Sequence, residues 1–151
     1  MVLAVDIGNT NIVMGCFESD RILFVERLST NQQSTALEYA IMLKNILEIH
    51  SIDINDFKGG MAENYVNVQL SINGYHTYYW ESERGAEIDF IIQRDGQLIP
   101  IEVKSADNTR AKSLKVYMDT YKPAYAIKLS AKNFGFEDNK KIVPLYAAFC
   151  I

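Results

Sequence analysis

The sequence predicts an α/β protein with a mixed central sheet. Short apolar runs bounded by turn residues indicate strands, and longer segments with apolar residues at helical spacing indicate helices. The hydrophobic share of 48% and the charged share of 23% are typical of globular proteins and exclude disordered or collagen-like chains. The 151 residues are enough for about one ordinary domain.

The first 58 residues predict three strands followed by a helix. Thr35 and Glu38 have the spacing of a capping box, and apolar residues at helical spacing follow as far as His50. The polar segment 51–58 then forms a connection. The strands are apolar runs separated by turn residues, and they cover residues 2–7, 12–17 and 22–28.

A second pattern starts at Gly59-Gly60, the best candidate for a boundary between residues 1–58 and 59–151; the alternative is that the two glycines form an ordinary turn. The dipeptide Asp95-Gly96 between two apolar runs is a strong hairpin signal. The elements predicted after the boundary are a helix over 61–72, strands over 75–80, 87–93 and 97–105, a helix over 111–121, and strands over 125–130 and 142–150.

A two-residue turn at Asp95-Gly96 fixes which residues of the two hairpin strands face each other. It places Asp89 opposite Glu102 and Glu87 opposite Lys104, with all four side chains on one face. The other face is expected to be core and carries Ile88, Phe90, Ile92, Ile101 and Val103.

Opposed carboxylates repel each other unless a cation or a proton lies between them. Asp89 and Glu102 are suitable ligands for Mg²⁺, which polarises a phosphate and activates a bound water. Lys104 is placed to orient that water or to stabilise developing charge. The alternative is a solvent-exposed ladder of ion pairs that contributes little.

The spacing of Asp89 and Glu102-Val103-Lys104 resembles that of the PD-(D/E)XK nuclease superfamily, with Glu63 matching an acidic residue on the preceding helix. The runs "AENYV", "GAEIDFII", "IPIEVKS", "KPAYAI" and "PLYAAFCI" resemble more specifically a nuclease-like domain of unknown function at the C-terminus of prokaryotic AAA+-type ATPases. This resemblance implies a restriction-endonuclease-like fold for residues 59–151. It implies Asp89 and Glu102 as ligands of Mg²⁺ or Mn²⁺, with Lys104 and Glu63 as further catalytic residues.

The run "VLAVDIGNTNIVMGCFE" and the helix "TALEYAIMLKNILE" resemble the start of type III pantothenate kinases, which have an actin-like fold. The resemblance implies a truncated β-β-β-α unit and a phosphate motif that binds ATP with Mg²⁺. The G-x-D-R motif that carries the family's catalytic aspartate does not occur in this sequence, so we do not expect pantothenate phosphorylation. The motif residues are Asp6, Gly8, Asn9, Thr10 and Asn11.

The charge distribution agrees with a metal site beside a phosphate-binding surface, or with an ordinary mixed surface. The net charge is −4; residues 1–58 carry −4, residues 59–103 carry −5 and residues 104–151 carry +5. Two cysteines are too few for a disulfide scaffold, which favours a reducing, cytoplasmic compartment. No apolar run approaches the ~18 residues needed to span a bilayer, and Asp6 interrupts the only candidate signal segment.

Three classes of function stay open: a metal-dependent nuclease, a docking module for DNA or protein, and a Mg-ATP-binding segment. The expected partners are DNA, another protein or a second copy of the chain, and no membrane. The aromatic cluster of residues 75–80 is more often core than a surface that stacks on bases. Arg110, Lys112 and Lys115 are candidates for contacts with phosphate, or an ordinary solvated helix face.

Overall fold

The computed structural model describes residues 1–104 and 112–151 and divides into two compact units, Met1–Lys58 and Gly59–Ile151. The first contains an antiparallel three-stranded sheet and the second a mixed six-stranded sheet, both with helices. The predicted α/β class with a mixed sheet is therefore confirmed. Three predictions lie outside the described residues: the strand end at Ser105, the role of Arg110 and the helix start at Ala111.

The first unit follows the local sequence signals closely. Thr35 accepts a hydrogen bond from the backbone N–H of Glu38, and the Glu38 carboxylate accepts one from the backbone N–H of Thr35. This reciprocal pair is the predicted capping box. The elements are β1 (Val2–Ile7), β2 (Asn11–Glu18), β3 (Arg21–Ser29), α1 (Ala36–Ile49) and a 3₁₀ helix at Ile54–Phe57, with sheet order β1-β2-β3.

The second unit is built on a sheet with strand order β4-β5-β6-β7-β9-β8. Strands β6, β7 and β9 are parallel to one another, and the remaining neighbours are antiparallel. The elements are α2 (Lys58–Ile72), β4 (Tyr78–Glu81), β5 (Glu87–Arg94), β6 (Gln97–Val103), α3 (Lys112–Tyr121), β7 (Ala126–Ser130), β8 (Gly135–Glu137), β9 (Lys140–Pro144) and a 3₁₀ helix at Leu145–Cys150.

Two hydrophobic clusters cover this sheet, and β6 lies near its centre. Val66 and Leu70 of α2 pack with Ile101 and Val103 of β6 and with Leu129 of β7 in one cluster. The other joins α3 to the sheet through Leu114, Tyr117, Ile88, Ile91 and Ala126. Because the two clusters cover both faces of the sheet at β6, the last five residues of this strand are all buried, as expected for a central strand.

Three predicted elements need correction. Gly59-Gly60 is not a turn, because α2 begins at Lys58 and runs through both glycines. The strand predicted over 142–150 is wrong beyond Pro144, where the chain becomes a 3₁₀ helix. Strand β8 was not predicted; the Asp138-Asn139 turn that joins it to β9 has positive φ at both residues, as a two-residue hairpin requires.

The predicted core face of the hairpin is correct except at Ile88. Phe90, Ile92, Ile101 and Val103 belong to or pack against the α2 cluster, whereas Ile88 packs with α3. A register shift between β4 and β5 explains the difference, because Tyr78 pairs with Ile91 while Trp80 pairs with Ile88. One extra residue on β5 reverses the alternation of its side chains.

The expectation that the aromatic residues near β4 are core holds only in part. Trp80 packs edge-to-face on Tyr117 and Tyr121 and donates a hydrogen bond to the Tyr121 hydroxyl at 3.2 Å. Tyr78 and Tyr79 are exposed at 61% and 80% because β4 is an edge strand. None of the helices in the described ranges has the length and apolar character that crossing a bilayer requires.

The glycines of α2 and of its C-terminal turn give a matched test of this fold. Gly60 lies inside the helix, and no atom of the described residues comes within 4 Å of an added Cβ, whereas Gly74 has φ +83°. We expect Gly60→Ala to raise the free energy of unfolding by about 0.5–1 kcal/mol. Gly74→Ala should lower it by about 1 kcal/mol because of its left-handed backbone. Urea unfolding followed by fluorescence of the single Trp80 measures both; equal signs would contradict the helix boundaries.

Candidate functional site

The hairpin of β5 and β6 has the predicted register. Asp95 and Gly96 have φ of +51° and +74°, and the paired residues run from Arg94–Gln97 to Phe90–Ile101. The ladder ends there, one residue before Asp89 and Glu102, and so does not extend to the predicted Glu87–Lys104 pair. Lys104, directly after β6, instead donates its backbone N–H to the carbonyl of Leu129 on β7 at 2.9 Å.

Glu102 is a buried charged residue in the centre of the sheet. Its exposed fraction is 2%, because β6 lies between β5 and β7. Its Oε1 forms an ion pair with Lys104 Nζ at 2.5 Å, and its Oε2 is the one buried side-chain oxygen or nitrogen of the described residues without a hydrogen-bond partner. The alternative of a solvent-exposed ion-pair ladder is therefore wrong for this pair.

Asp89 is half-buried and is held by the backbone of the neighbouring strand. Its Oδ2 accepts a hydrogen bond from the N–H of Val103 at 2.7 Å. The Asp89 carboxylate is thereby bonded to the peptide group that follows Glu102. Its charge acts on the Glu102 carboxylate, although the ladder between β5 and β6 has already ended.

The three carboxyl groups of this site have raised pKa values, and burial is the largest cause of each shift. Burial raises the pKa of Glu102, and Asp89 raises it further, against the opposing effect of Lys104. Burial likewise raises the pKa of Asp89, against the lowering effect of the Val103 N–H. Glu63 of α2 belongs to the same electrostatic cluster, since burial and the charge of Asp89 both raise its pKa.

Lys104 is the main positive charge that faces these groups. Burial alone lowers the pKa of Lys104, but the attraction of Glu102, Asp89 and Glu63 outweighs it and the pKa is raised. Lys104 therefore stays a cation at neutral pH. Burial is the largest cause of the raised pKa of all three carboxyl groups, and the charge of Lys104 reduces each shift without reversing it.

The fit of a divalent ion depends on Asp89 and Glu102. Within residues 1–104 and 112–151, no group of three or more His, Cys, Asp or Glu side chains is arranged to hold a metal. Mg²⁺, however, is commonly bound through one or two carboxylates, with water and substrate phosphate as its other ligands. The unpartnered Oε2 of Glu102 beside Asp89 fits that donor set.

Lys128 is a residue of the site that the sequence analysis missed. It pairs with Glu102 across the parallel β6–β7 ladder, and its charge lowers the pKa of Glu102. The available signal was a single charged residue inside the apolar strand "AIKLS". Lys128 also lines a cavity of about 530 Å³ together with Lys112, Lys115 and Lys140, and with Asp119, Glu137 and Asp138.

The second predicted site, in the first unit, is one turn between β1 and β2. The Gly8 N–H donates to the carbonyl of Asn11 at 2.9 Å. Thr30 holds the turn from β3: its hydroxyl donates to the Gly8 carbonyl at 2.6 Å and its N–H to the Thr10 carbonyl at 2.9 Å. Asp6 and Asn9 are exposed, and Gly8, Asn9 and Thr10 lie between the strands, whereas Asp6 is on β1 and Asn11 begins β2.

The buried charge of Glu102 predicts a specific dependence of stability on pH. Because the pKa of Glu102 is raised in the folded state, that state binds more protons than the unfolded chain between the ordinary glutamate pKa and the raised value. The free energy of unfolding should therefore fall as pH rises through that window. Glu102→Gln should remove this contribution, so that the variant gains stability relative to the parent as pH rises from the ordinary glutamate pKa through the raised value.

Urea unfolding at several pH values measures this difference. Glu83→Gln is the matched control, since Glu83 is an exposed glutamate of the same unit, in the connection between β4 and β5. It should leave the pH dependence unchanged. If the free energy of unfolding of Glu102→Gln ran parallel to that of the parent at all pH values, the burial of this carboxylate would not affect its ionisation.

Comparison with known proteins connects each unit to a different family. Type III pantothenate kinases of Finegoldia magna and Agathobacter rectalis are 43% identical over 58 residues and 36% identical over 81 residues. These matches cover 38% and 52% of this chain but 22% and 31% of the relatives, so the chain spans less than a third of either. A similar enzyme of Exiguobacterium sp. is 30% identical over 66 residues. The expected resemblance to these kinases is confirmed over that part.

The rest of the chain matches a family defined by sequence alone. The profile of the domain of unknown function DUF4143 covers residues 58–148, which confirms the resemblance expected for this region. The match includes the three carboxylates and Lys104. On this evidence the chain belongs to the DUF4143 family.

Proposed function

We propose that Gly59–Ile151 is a restriction-endonuclease-like domain that binds Mg²⁺ or Mn²⁺ and cleaves phosphodiester bonds in DNA. The observation that carries the proposal is the buried Glu102 carboxylate, whose Oε2 has no partner among the described residues although Asp89 lies beside it. A buried, uncompensated charge is costly, and a divalent ion is the partner that would compensate it.

Each residue of the site has a role that follows from its contacts. Asp89 and Glu102 would hold the metal, which when bound polarises a phosphate and activates water. Lys104, kept cationic by the surrounding carboxylates, would orient the attacking water or stabilise developing negative charge. Glu63, with its raised pKa, is suited to exchange a proton with that water.

The four lysines that line the 530 Å³ cavity favour the binding of a polyanionic substrate such as DNA. Lys128 connects the cavity to Glu102 through the β6–β7 ladder. Two of the other lysines already have acidic partners, since Lys115 contacts Asp119 and Lys140 contacts Asp138. Lys112 and Lys128 are therefore the better candidates for contacts with phosphate oxygens.

Cleavage of supercoiled plasmid in Mg²⁺ or Mn²⁺ tests the proposal. We expect the parent chain to nick the plasmid and Asp89→Asn to reduce nicking to the background without enzyme. Asn keeps an oxygen that can accept the Val103 N–H, so the variant should fold while losing a metal ligand. Glu83→Gln, at an exposed position between β4 and β5, is the control and should nick like the parent.

Binding measurements separate cleavage from docking. If the parent binds DNA with salt-dependent affinity in EDTA and nicks nothing in either metal, the domain is a docking module and the proposed cleavage is wrong. Equal nicking by the parent and by Asp89→Asn would show a contaminating nuclease and would also contradict the assignment.

We also propose that the turn of residues 6–11 binds Mg-ATP weakly, on an actin-like strand-and-helix unit. The partial match to type III pantothenate kinases favours this second function, and the exposed turn anchored by Thr30 agrees with it. Asp6 would face the metal, and Asn9 and Thr10 would offer donors to phosphate oxygens. Because the chain spans at most 31% of the first two relatives, phosphorylation of pantothenate is not part of the proposal.

Mg-ATP should therefore raise the melting temperature of the full chain, because a ligand that binds only the folded state stabilises it. Asp6→Ala should abolish the shift. Asp20→Ala is a suitable control, since Asp20 lies in the turn between β2 and β3. An equal shift of the melting temperature in Asp6→Ala and Asp20→Ala would show that the nucleotide binds elsewhere. No shift in the parent would contradict this second proposal.

A further inference from the structure

Strand β1 is an edge of the three-stranded sheet and exposes apolar side chains. Within the part of the chain that the structure describes, it pairs with β2 on one side only. Val2, Val5 and Ile7 are exposed at 61%, 45% and 73%. A long apolar edge strand is a template for pairing with another strand, and natural proteins usually protect such edges with charges, proline or a bulge.

The opposite edge of the same sheet has that protection. Strand β3 carries Arg21, Glu26 and Arg27 and has a register shift in its pairing with β2. Strand β1 carries only Asp6 and has a regular register along its whole length. Although Ile22 and Val25 are exposed on β3, its charges and register shift protect that edge, whereas β1 lacks both forms of protection.

The hydrogen bonds of β1 show which of its backbone groups are free for a partner. Gly8 donates to Asn11 of β2, so this pair is a hydrogen-bonded pair of the antiparallel ladder. Such pairs alternate along a ladder. It follows that the N–H and C=O groups of Leu3, Val5 and Ile7 point away from β2, toward the free edge.

We propose that two copies of this chain associate by antiparallel pairing of their β1 strands, centred on Val5. A two-fold axis through that position places Val5 opposite Val5 of the second copy and Leu3 opposite Ile7. These three residues are the ones whose backbone groups point outward, so the pairing joins the two three-stranded sheets into one of six strands.

The side chains in this register are complementary. Leu3, Val5 and Ile7 pair with the buried Cys16, Met14 and Ile12 of β2 and therefore lie on the core face of the sheet. Val5 and Ile7 line a cavity of about 440 Å³ on this face, most of whose lining is apolar. The second copy would extend this apolar surface.

Electrostatics do not oppose the pairing. In a register centred on Val5, Asp6 lies opposite Ala4 of the second copy, and the two Asp6 side chains are only diagonal neighbours. The alternative symmetric register, centred on Ala4, places Asp6 opposite Val2 and leaves Ile7 opposite Met1, beyond the strand. The register centred on Val5 thus uses more of the apolar edge.

The mass of the full chain in solution tests the association. We expect light scattering after gel filtration to give twice the 17.2 kDa of one chain, shifting to the monomer on dilution. Val5→Lys should reduce the mass to that of one chain, because it places two ammonium groups opposite each other at the axis. Val25→Lys changes an exposed valine of β3 and should leave the dimer intact. A parent that is monomeric throughout, or variants that behave alike, would overturn the proposal.

Cross-linking tests the register without adding charge. In a Cys150→Ser background, which removes the one exposed cysteine, Val5→Cys should give a disulfide-linked dimer on oxidation. Ala4→Cys should give much less, because Ala4 does not face its own copy in this register. Preferential cross-linking of Ala4→Cys, or no cross-linking of either variant, would overturn the pairing centred on Val5.

Discussion

The burial of one carboxylate, that of Glu102, is the constraint on which the second unit depends. The strand order places it on β6, where both faces are covered, and Lys104 forms a direct ion pair with it. An apolar residue at this position would commonly be as stable or more stable. The charge is therefore a cost to stability, and perturbed ionisable groups of this kind are concentrated at functional sites. The sheet and Lys104 hold that charge in place, and the Val103 N–H holds the second carboxylate, that of Asp89.

Local signals made much of this arrangement predictable. Asp95-Gly96 determined the register of the hairpin, and counting back from the turn gives the observed pairs as far as Phe90 and Ile101. The capping box that begins at Thr35 predicted the start of α1 equally well, because all of the atoms of this motif lie within four consecutive residues. Prediction from the sequence succeeded where the deciding contacts are close along the chain.

The errors came from contacts between distant segments or from residues that allow two conformations. Ile88 lies on the α3 face of the sheet and not on the predicted α2 face. The cause is a register shift between β4 and β5, which the sequence of β5 alone does not reveal. Gly59-Gly60 allow a turn as an alternative, but glycine is tolerated in the first turn of a helix when the following residues form one. Lys128 came to Glu102 through a parallel pairing that depends on how the chain crosses from β6 to β7. Neither the pairing of Lys128 with Glu102 nor the cavity that Lys128 lines can be derived from the spacing of residues along the sequence.

The raised pKa values also say what kind of ligand the site should prefer. Protons and a divalent ion would relieve the same excess of negative charge at Asp89 and Glu102, so they compete for it. At low pH protonation would remove the need for a metal, and as pH rises the unprotonated carboxylates would gain affinity for one. A site whose burial served only the packing of the sheet would have no reason to bring a second carboxylate beside the first. The hydrogen bond from the Val103 N–H opposes protonation of Asp89, because it lowers the pKa of that carboxyl group against the larger effect of burial.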